Sequence, residues 1–301
     1  MKKVNSETEM RILVTGSSGQ VGQSLVQQLQ ERQIDFLALN HKMLDITDTK
    51  AVLRTVSEYT PTVIINAAAY TAVDKAEEEI DLAYKVNCEG AKVLAEAARS
   101  VDASILHIST DYVFSGDKTD EYQENDITEP QGVYGKSKLA GELAVIRSCE
   151  KHIILRTSWV FGEYGHNFVK TMLRLAQEKD TLGIVNDQWG APTYAGDIAS
   201  ALLTIAEAIY HDRPVSYGVY HFSGHPYVTW FEFASSIFHH AQEKGMLRCI
   251  PHLNPLTTEQ FPTKAKRPAN SRLSMTKIYR EFGITASDWK SALQRIQDYK
   301  I

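Results

Sequence analysis

Five short apolar runs, at residues 12–14, 36–39, 63–65, 105–108 and 153–155, alternate along the first half of the chain with segments of helical period at 21–31, 47–59, 76–99 and 133–148. Strands this uniformly apolar have no face to show water. Alternating them with helices leaves one economical arrangement, a parallel sheet covered on both faces by helices. The sequence therefore predicts an α/β fold built on a doubly wound parallel sheet. In such sheets ligands bind beyond the carboxyl ends of the strands. The residues just after each run thus carry most of the functional information: 16–22, 40–41, 66–74, 109–114 and 157–161.

The first of these segments reads Thr15-Gly16-Ser17-Ser18-Gly19-Gln20-Val21-Gly22 and lies between an apolar run and an amphipathic stretch beginning at Gln20. It is expected to turn the chain from a buried strand into a helix. Glycine lets the backbone turn tightly and approach a phosphate, while the free N–H groups and dipole at a helix start favour negative charge. A Rossmann-type sheet holds a dinucleotide pyrophosphate at this place. The spacing is G-x-x-G-x-x-G, not G-x-G-x-x-G, and a glycine-rich loop closing an ordinary βα unit stays open as the alternative.

At 301 residues the chain is long enough for one large domain or two modest ones without disulfides. Beyond residue 157 the alternation weakens, and helical segments at 168–178, 197–210, 230–243 and 288–298 are separated by loops containing Pro and Gly. Residues 10–157 are expected to form an NAD(P)-binding domain, with part of 193–215 returning to it, and residues 158–301 mainly a smaller substrate-binding lobe. The polar segment 1–9 lacks the apolar stretch of a secretory signal and reads as a disordered extension. A net charge of −5 provides no basic field for nucleic acid. No apolar run approaches the ~18 residues of a membrane helix. Cys88, Cys149 and Cys249 have neither C-x-x-C nor metal-ligand spacing, which fits reduced thiols in the cytoplasm. His239-His240 lacks a third ligand at zinc spacing, and His107, inside a strand, reads as an interior histidine.

Tyr134 and Lys138 stand four residues apart on a predicted helix, which puts both side chains on one face. A phenol titrates near 10, and a neighbouring ammonium is expected to lower that value and make the tyrosine a usable proton donor and acceptor. With 14 tyrosines in the chain, such a pair is unremarkable by itself. Its context gives it meaning: the helix follows a strand ending in Ser109-Thr110-Asp111-Tyr112, so a hydroxyl at the strand's carboxyl edge can share a cleft with Tyr134.

Together, the glycine turn, Asn66-Ala67-Ala68-Ala69, the segment from Ser109 to Gly116 and Tyr134-x-x-x-Lys138 resemble the extended short-chain dehydrogenase/reductases, a family of nucleotide-sugar enzymes. The segments 67–77, 156–161 and 267–273 are similar to its dTDP-4-dehydrorhamnose reductase branch. The resemblance implies that Gly16, Gly19, Gln20, Val21 and Gly22 hold the pyrophosphate, that Asp45 and Ile46 lie at the adenine, and that Ala67, Ala68 and Ala69 line the nicotinamide side. It implies that Lys138 binds the nicotinamide ribose and tunes Tyr134, which protonates a C4 keto oxygen that Thr110 also contacts. Val73, Asp111 and Trp159 fall where the family faces the sugar, whereas Asp74 and Glu77 read as structural charges at the start of the next helix.

The implied reaction is NAD(P)H-dependent reduction of the C4 ketone of dTDP-4-dehydro-L-rhamnose to dTDP-L-rhamnose, a step toward surface polysaccharide. Another 4-keto-6-deoxy nucleotide-sugar reductase is the near alternative, and a catalytically silent dinucleotide-binding regulatory subunit the distant one. The retention of Thr110, Tyr134 and Lys138 argues against silence. NAD specificity usually shows as a carboxylate at the end of the second strand. Here that position reads Asn40-His41-Lys42, which favours NADPH with NADH also accepted. Some members of the resembled family hold Mg2+ at a dimer interface. The sequence identifies no acidic cluster for such an ion, and neither a metal nor a homodimer follows from it.

Overall fold

The computed structural model describes residues 9–299, so the expected extension at 1–9 lies, apart from exposed Glu9, outside the described residues. The first half runs β1 (Arg11–Thr15), α1 (Gln20–Glu31), β2 (Asp35–Leu39), α2 (Thr49–Tyr59), β3 (Val63–Asn66), α3 (Val73–Ala76), α4 (Ile80–Tyr84), a π-helical segment Lys85–Gly90, α5 (Ala91–Ser100), β4 (Ser104–Thr110), α6 (Val133–Ser148) and β5 (His152–Thr157). The second half runs β6 (Val160–Phe161), α7 (Phe168–Glu178), β7 (Thr181–Val185), β8 (Trp189–Gly190), β9 (Thr193–Tyr194), α8 (Ala195–Tyr210) and β10 (Gly218–His221). It closes with β11 (Val228–Thr229), α9 (Trp230–Glu243), β12 (His252–Leu256), α10 (Thr276–Phe282) and α11 (Trp289–Leu293).

Six strands form one sheet in the order β10-β5-β4-β3-β1-β2, with every neighbouring pair parallel. The chain moves from β1 to β2 on one side and then to β3 on the other, so the sheet's winding reverses at the carboxyl end of β1. Alternate residues of the apolar strands feed two different cores. Ile12 and Val14 join Leu25 and Leu29 of α1 and a row from α8 including Leu202 and Ala206, whereas Leu13, Ile64 and Ile105 join α2, α5 and Val145 of α6. This two-sided burial is what an uninterrupted apolar strand requires. After the helices and strands of the smaller lobe begin, the chain returns to the sheet twice: α8 packs on α1, and β10 extends the sheet edge beside β5. A third core, around Phe161, Leu173, Phe233, Phe238 and Trp289, joins β6, α7, α9 and α11, while Ile278 of α10 belongs to the first core and Val113, Phe114, Tyr122 and Leu273 form a small cluster of their own.

The structure corrects three readings of the sequence. The helix expected over 76–99 is broken after Ala76 and widened into a π turn at Lys85–Gly90. That turn brings Asn87 against α6 so closely that a side chain at Gly141 would sit 2.0 Å from the Asn87 carbonyl oxygen. The helix expected over 288–298 spans only Trp289–Leu293, followed by a 3-10 turn at Ile296–Asp298. Finally, α10 and the parallel pair β7–β12 had no counterpart in the pattern; β12 reads His-Leu-Asn-Pro-Leu, whose proline and exposed residues look like loop.

Candidate active site

The glycine turn lies at the carboxyl end of β1, where the sheet's winding reverses. Gly16 has φ +72°, and a Cβ there would lie 2.5 Å from the Ala68 amide nitrogen; one at Gly22 would lie 2.1 Å from the Gly16 carbonyl oxygen. These two glycines allow β1, α1 and the segment after β3 to touch through backbone alone. Helix α1 begins at Gln20 with Gly19 as its cap, no side-chain cap and no acidic residue in the first turn. The early N–H groups of Gln20, Val21 and Gly22 are therefore donors without intrahelical acceptors, as an anion site requires. Across the turn, Ala67 donates its N–H to the Thr15 carbonyl at 3.1 Å and Ala68 to Asn66 Oδ1 at 3.0 Å, while Thr15 Oγ1 donates to that same oxygen at 2.8 Å. These features fit a dinucleotide: a bare cradle at a helix start and a flat alanine wall beside it.

At the far end of β2, Asn40 Oδ1 accepts from the N–H groups of Lys42 and Met43, leaving His41 and Lys42 exposed. Asp45 folds its carboxylate onto the Thr47 N–H and hydroxyl, which lower its pKa. The Ile46 side chain is buried and fills the space over Gly90.

Thr110, Asp111, Tyr134 and Lys138 come together where β4 ends against α6. Lys138 is 2 % exposed and donates from Nζ to the Ile108 carbonyl at 2.7 Å. Burial draws its pKa down to about 8, against a partly compensating attraction to Glu142. Tyr134 stands edge-on to Tyr112, with ring centroids 5.4 Å apart. Its ring is partly exposed, while packing around its hydroxyl pushes its pKa up; the facing Thr110 hydroxyl opposes that rise in part. The lowering expected from Lys138 is thus not the outcome: desolvation of the phenolate dominates, and Asp111 and Tyr112 add to the rise. Asp111 is 3 % exposed; its Oδ1 accepts from the Thr110 hydroxyl at 3.1 Å, and its buried Oδ2 has no hydrogen-bond partner. Burial raises its pKa to about 6.

Tyr112, whose ring meets that of Tyr134, also lines a cleft of about 620 Å³, together with Trp159, Phe168, Trp230, Arg267 and Ser271 among others. Trp159 adopts φ +48° and stacks on Trp230 with centroids 3.5 Å apart, and Gly190 leaves room beneath its ring. Val73 begins α3 and is partly exposed. Asp74 reaches back to pair with Arg267 at 2.5 Å and to accept the Ala265 N–H, and Arg267 also donates to the Tyr112 hydroxyl at 3.0 Å. Glu77 serves a helix other than the one expected: it accepts the Val133 N–H at 2.8 Å and so caps α6, the element that carries Tyr134 and Lys138. His107 is buried with Nδ1 on Asn66 Nδ2 at 2.9 Å, and burial holds its pKa well down. Among the described residues, no group of three or more His, Cys, Asp or Glu side chains is gathered in a metal-binding arrangement, and no helix is long and apolar enough to cross a membrane.

A family model described as the RmlD substrate binding domain matches residues 10–300. The chain belongs to the RmlD substrate binding domain family. Its relatives include a dTDP-4-dehydrorhamnose reductase of Aggregatibacter actinomycetemcomitans, 53% identical over 290 residues, covering 96% of this chain and 99% of that protein. Among solved structures, a dTDP-4-dehydrorhamnose reductase of Clostridium acetobutylicum superposes with TM-score 0.88 at 40% identity, covering 96% of this chain and 99% of that one. One of Bacillus anthracis, in complex with NADP, does so with TM-score 0.88 at 39% identity, covering 96% and 98%. The RmlD match spans both the sheet and the smaller lobe, so it takes in both sides of the cleft. Trp230, Tyr112, Glu142 and Arg156 were given no site role from the sequence, although Tyr112 and Arg156 stand in segments it singled out and Glu142 stands one further helical turn beyond Lys138.

Proposed function

We propose that this RmlD family member is an NADPH-dependent reductase of the C4 ketone of dTDP-4-dehydro-L-rhamnose, yielding dTDP-L-rhamnose, with NADH accepted less well. The observation that carries the reading is the convergence of Thr110, Tyr134 and buried Lys138 beside Tyr112, which itself lines an aromatic cleft, in a chain similar over nearly its full length to dTDP-4-dehydrorhamnose reductases. The cradle at Gly16, Gly19 and Gly22 would hold the cofactor's pyrophosphate on the N–H groups of Gln20, Val21 and Gly22. Ala67, Ala68 and Ala69 would flank the nicotinamide, and Asp45 and Ile46 the adenine. The missing carboxylate at Asn40, with Lys42 exposed beside it, suits a 2′-phosphate.

When bound, the reduced nicotinamide supplies the hydride that reaches the sugar's C4. Tyr134 donates its phenolic proton to the C4 oxygen, and a raised pKa makes it a proton carrier throughout the neutral range. Thr110 turns its hydroxyl proton from Asp111 Oδ1 to that oxygen, so the developing negative charge meets a second donor held within reach. Lys138 places a cation behind the phenol and anchors the cofactor's ribose. Asp111 offers its unpartnered Oδ2 to a sugar hydroxyl, Val73 flanks the sugar, and Trp159, braced by Trp230, presents an apolar face to the deoxy side of the ring.

The test follows NADPH oxidation with dTDP-4-keto-6-deoxyglucose, with and without a 3,5-epimerase. Turnover only with the epimerase supports the reading. Turnover without it assigns another keto-sugar, and no turnover despite cofactor binding assigns a non-catalytic role.

A further inference from the structure

Three donors converge on one buried carboxylate immediately behind the proposed site. Glu142 is 1 % exposed, and its Oε1 accepts from Ser109 Oγ at 2.5 Å and from Arg156 Nε at 2.9 Å, while Oε2 accepts from Arg156 Nη2 at 2.7 Å. Ser109 directly precedes Thr110 on β4, and Arg156 lies opposite Ser109 on β5. Tyr134, Lys138 and Glu142 follow one another at four-residue intervals along α6, on a single face. Arg156, 4 % exposed, is also fixed over the Phe114 ring with its guanidinium 5.0 Å from the centroid.

We infer that Glu142 and Arg156 are a positioning pair for the reduction: they clamp the Tyr134–Lys138 face of α6 to the ends of β4 and β5, and Glu142 keeps the Lys138 ammonium charged. The inference rests on the reading given above for the role of Lys138. A purely architectural role is a weak account of such a pair, because a buried ion pair replaced by apolar side chains of similar volume is often no less stable. The charge balance supplies the stronger reason. Lys138 is a buried cation whose side-chain hydrogen bond goes to a neutral carbonyl, and burial alone drives it toward the neutral amine.

The groups around Lys138 can be enumerated by element. On α6 itself stand Tyr134 one turn before and Glu142 one turn after. Strand β4 brings the Ile108 carbonyl and His107, which burial holds neutral and whose charging Lys138 further disfavours, and the turn after it brings Asp111, which is not among the groups that shift Lys138. Strand β5 brings Arg156, bound through Glu142, and the π segment brings the neutral amide of Asn87, bonded to Ser137 at 3.0 Å. Of these, Glu142 is the anion that favours the charged lysine.

The test removes both charges at once in Glu142→Gln/Arg156→Met, which avoids stranding a buried guanidinium, and compares it with Glu142→Asp, which keeps the carboxylate. Lys138 titration is read by NMR of protein labelled at the lysine ε-carbons, with the resonance assigned by its loss in Lys138→Met. The double variant should titrate about one pH unit lower than wild type, and the alkaline limb of its kcat/KM profile should move with it. Glu142→Asp should stay near wild type in both. A folded double variant with an unmoved Lys138 midpoint overturns the inference and leaves the pair a structural brace. If the double variant does not fold, Glu142→Gln alone decides by the same midpoint and the same sign. The lysine titration needs no substrate, so failure of wild type to reduce the keto-sugar would count against the proposed function and not against the pair.

Discussion

Replacing Asp111 by Asn is predicted to make the protein more stable at neutral pH and a poorer reductase. Asp111 is almost wholly buried, it has one unpartnered oxygen, and burial lifts its pKa from 3.8 to about 6 against the opposing Thr110 hydroxyl. A carboxyl held above its ordinary value binds its proton more readily in the folded chain than in the unfolded one. Folding stability from this group is therefore greatest below about pH 4 and falls as the pH rises through 6. A displacement of about two pH units, at about 1.4 kcal/mol each, amounts to about 3 kcal/mol of destabilisation at pH 8. Asparagine carries no charge, so urea denaturation from pH 3.5 to 8 should show the variant gaining on wild type as the pH rises, with most of the gain between about 4 and 6. At pH 8 its kcat/KM for the keto-sugar should drop by roughly 10- to 100-fold, the loss of one charged hydrogen-bond acceptor. Stability curves for the two proteins that run parallel across this range would refute the reasoning, since a charge buried at a cost must show itself in pH dependence.

Tyr134→Phe should lower kcat by about 10²- to 10⁴-fold, the usual worth of a positioned acid, while NADPH affinity by fluorescence stays within a few-fold of wild type. Gly22→Ala drives a methyl group to 2.1 Å from the Gly16 carbonyl oxygen; isothermal titration should find cofactor binding lost or the chain unfolded, whereas Gly245→Ala, with open space around it, should leave cofactor binding intact. Trp230→Ala removes the ring that braces Trp159 and should raise KM for the sugar nucleotide more than it lowers kcat. A change confined to kcat would contradict the assignment of that stack to substrate binding.

The parts of the fold legible in the sequence are those fixed by local pattern. The five apolar runs became β1 to β5; β1, β3, β4 and β5, inside the sheet, need no polar alternation, β2 at the edge is only partly buried, and 133–148, 168–178 and 230–243 became α6, α7 and α9 at those limits. The π turn at Lys85–Gly90 was invisible because what accompanies it is tertiary, the close contact of Asn87 with Gly141 on α6. Helix α8, inside the stretch 193–215 expected to return, packs on α1, whereas strand β10 lies just beyond that stretch and its return to the sheet edge is announced by no local period. At the site, spacing exposed Tyr134 and Lys138 because one helix carries both. It did not expose Trp230 or Arg156, which meet their partners across the fold. The charge logic was equally hidden: Tyr134 next to a lysine reads as a softened acid, but burial, which spacing does not report, reverses the direction.

The most direct test of the account is where the hydride goes. The protein, incubated with NADPH deuterated at the transferring C4 position of the nicotinamide and with dTDP-4-dehydro-L-rhamnose, should yield dTDP-L-rhamnose whose proton NMR spectrum lacks the H4 signal of the sugar. A product with H4 intact, or deuterium at any other carbon, would contradict reduction at C4 and with it the roles given to Thr110, Tyr134 and Lys138.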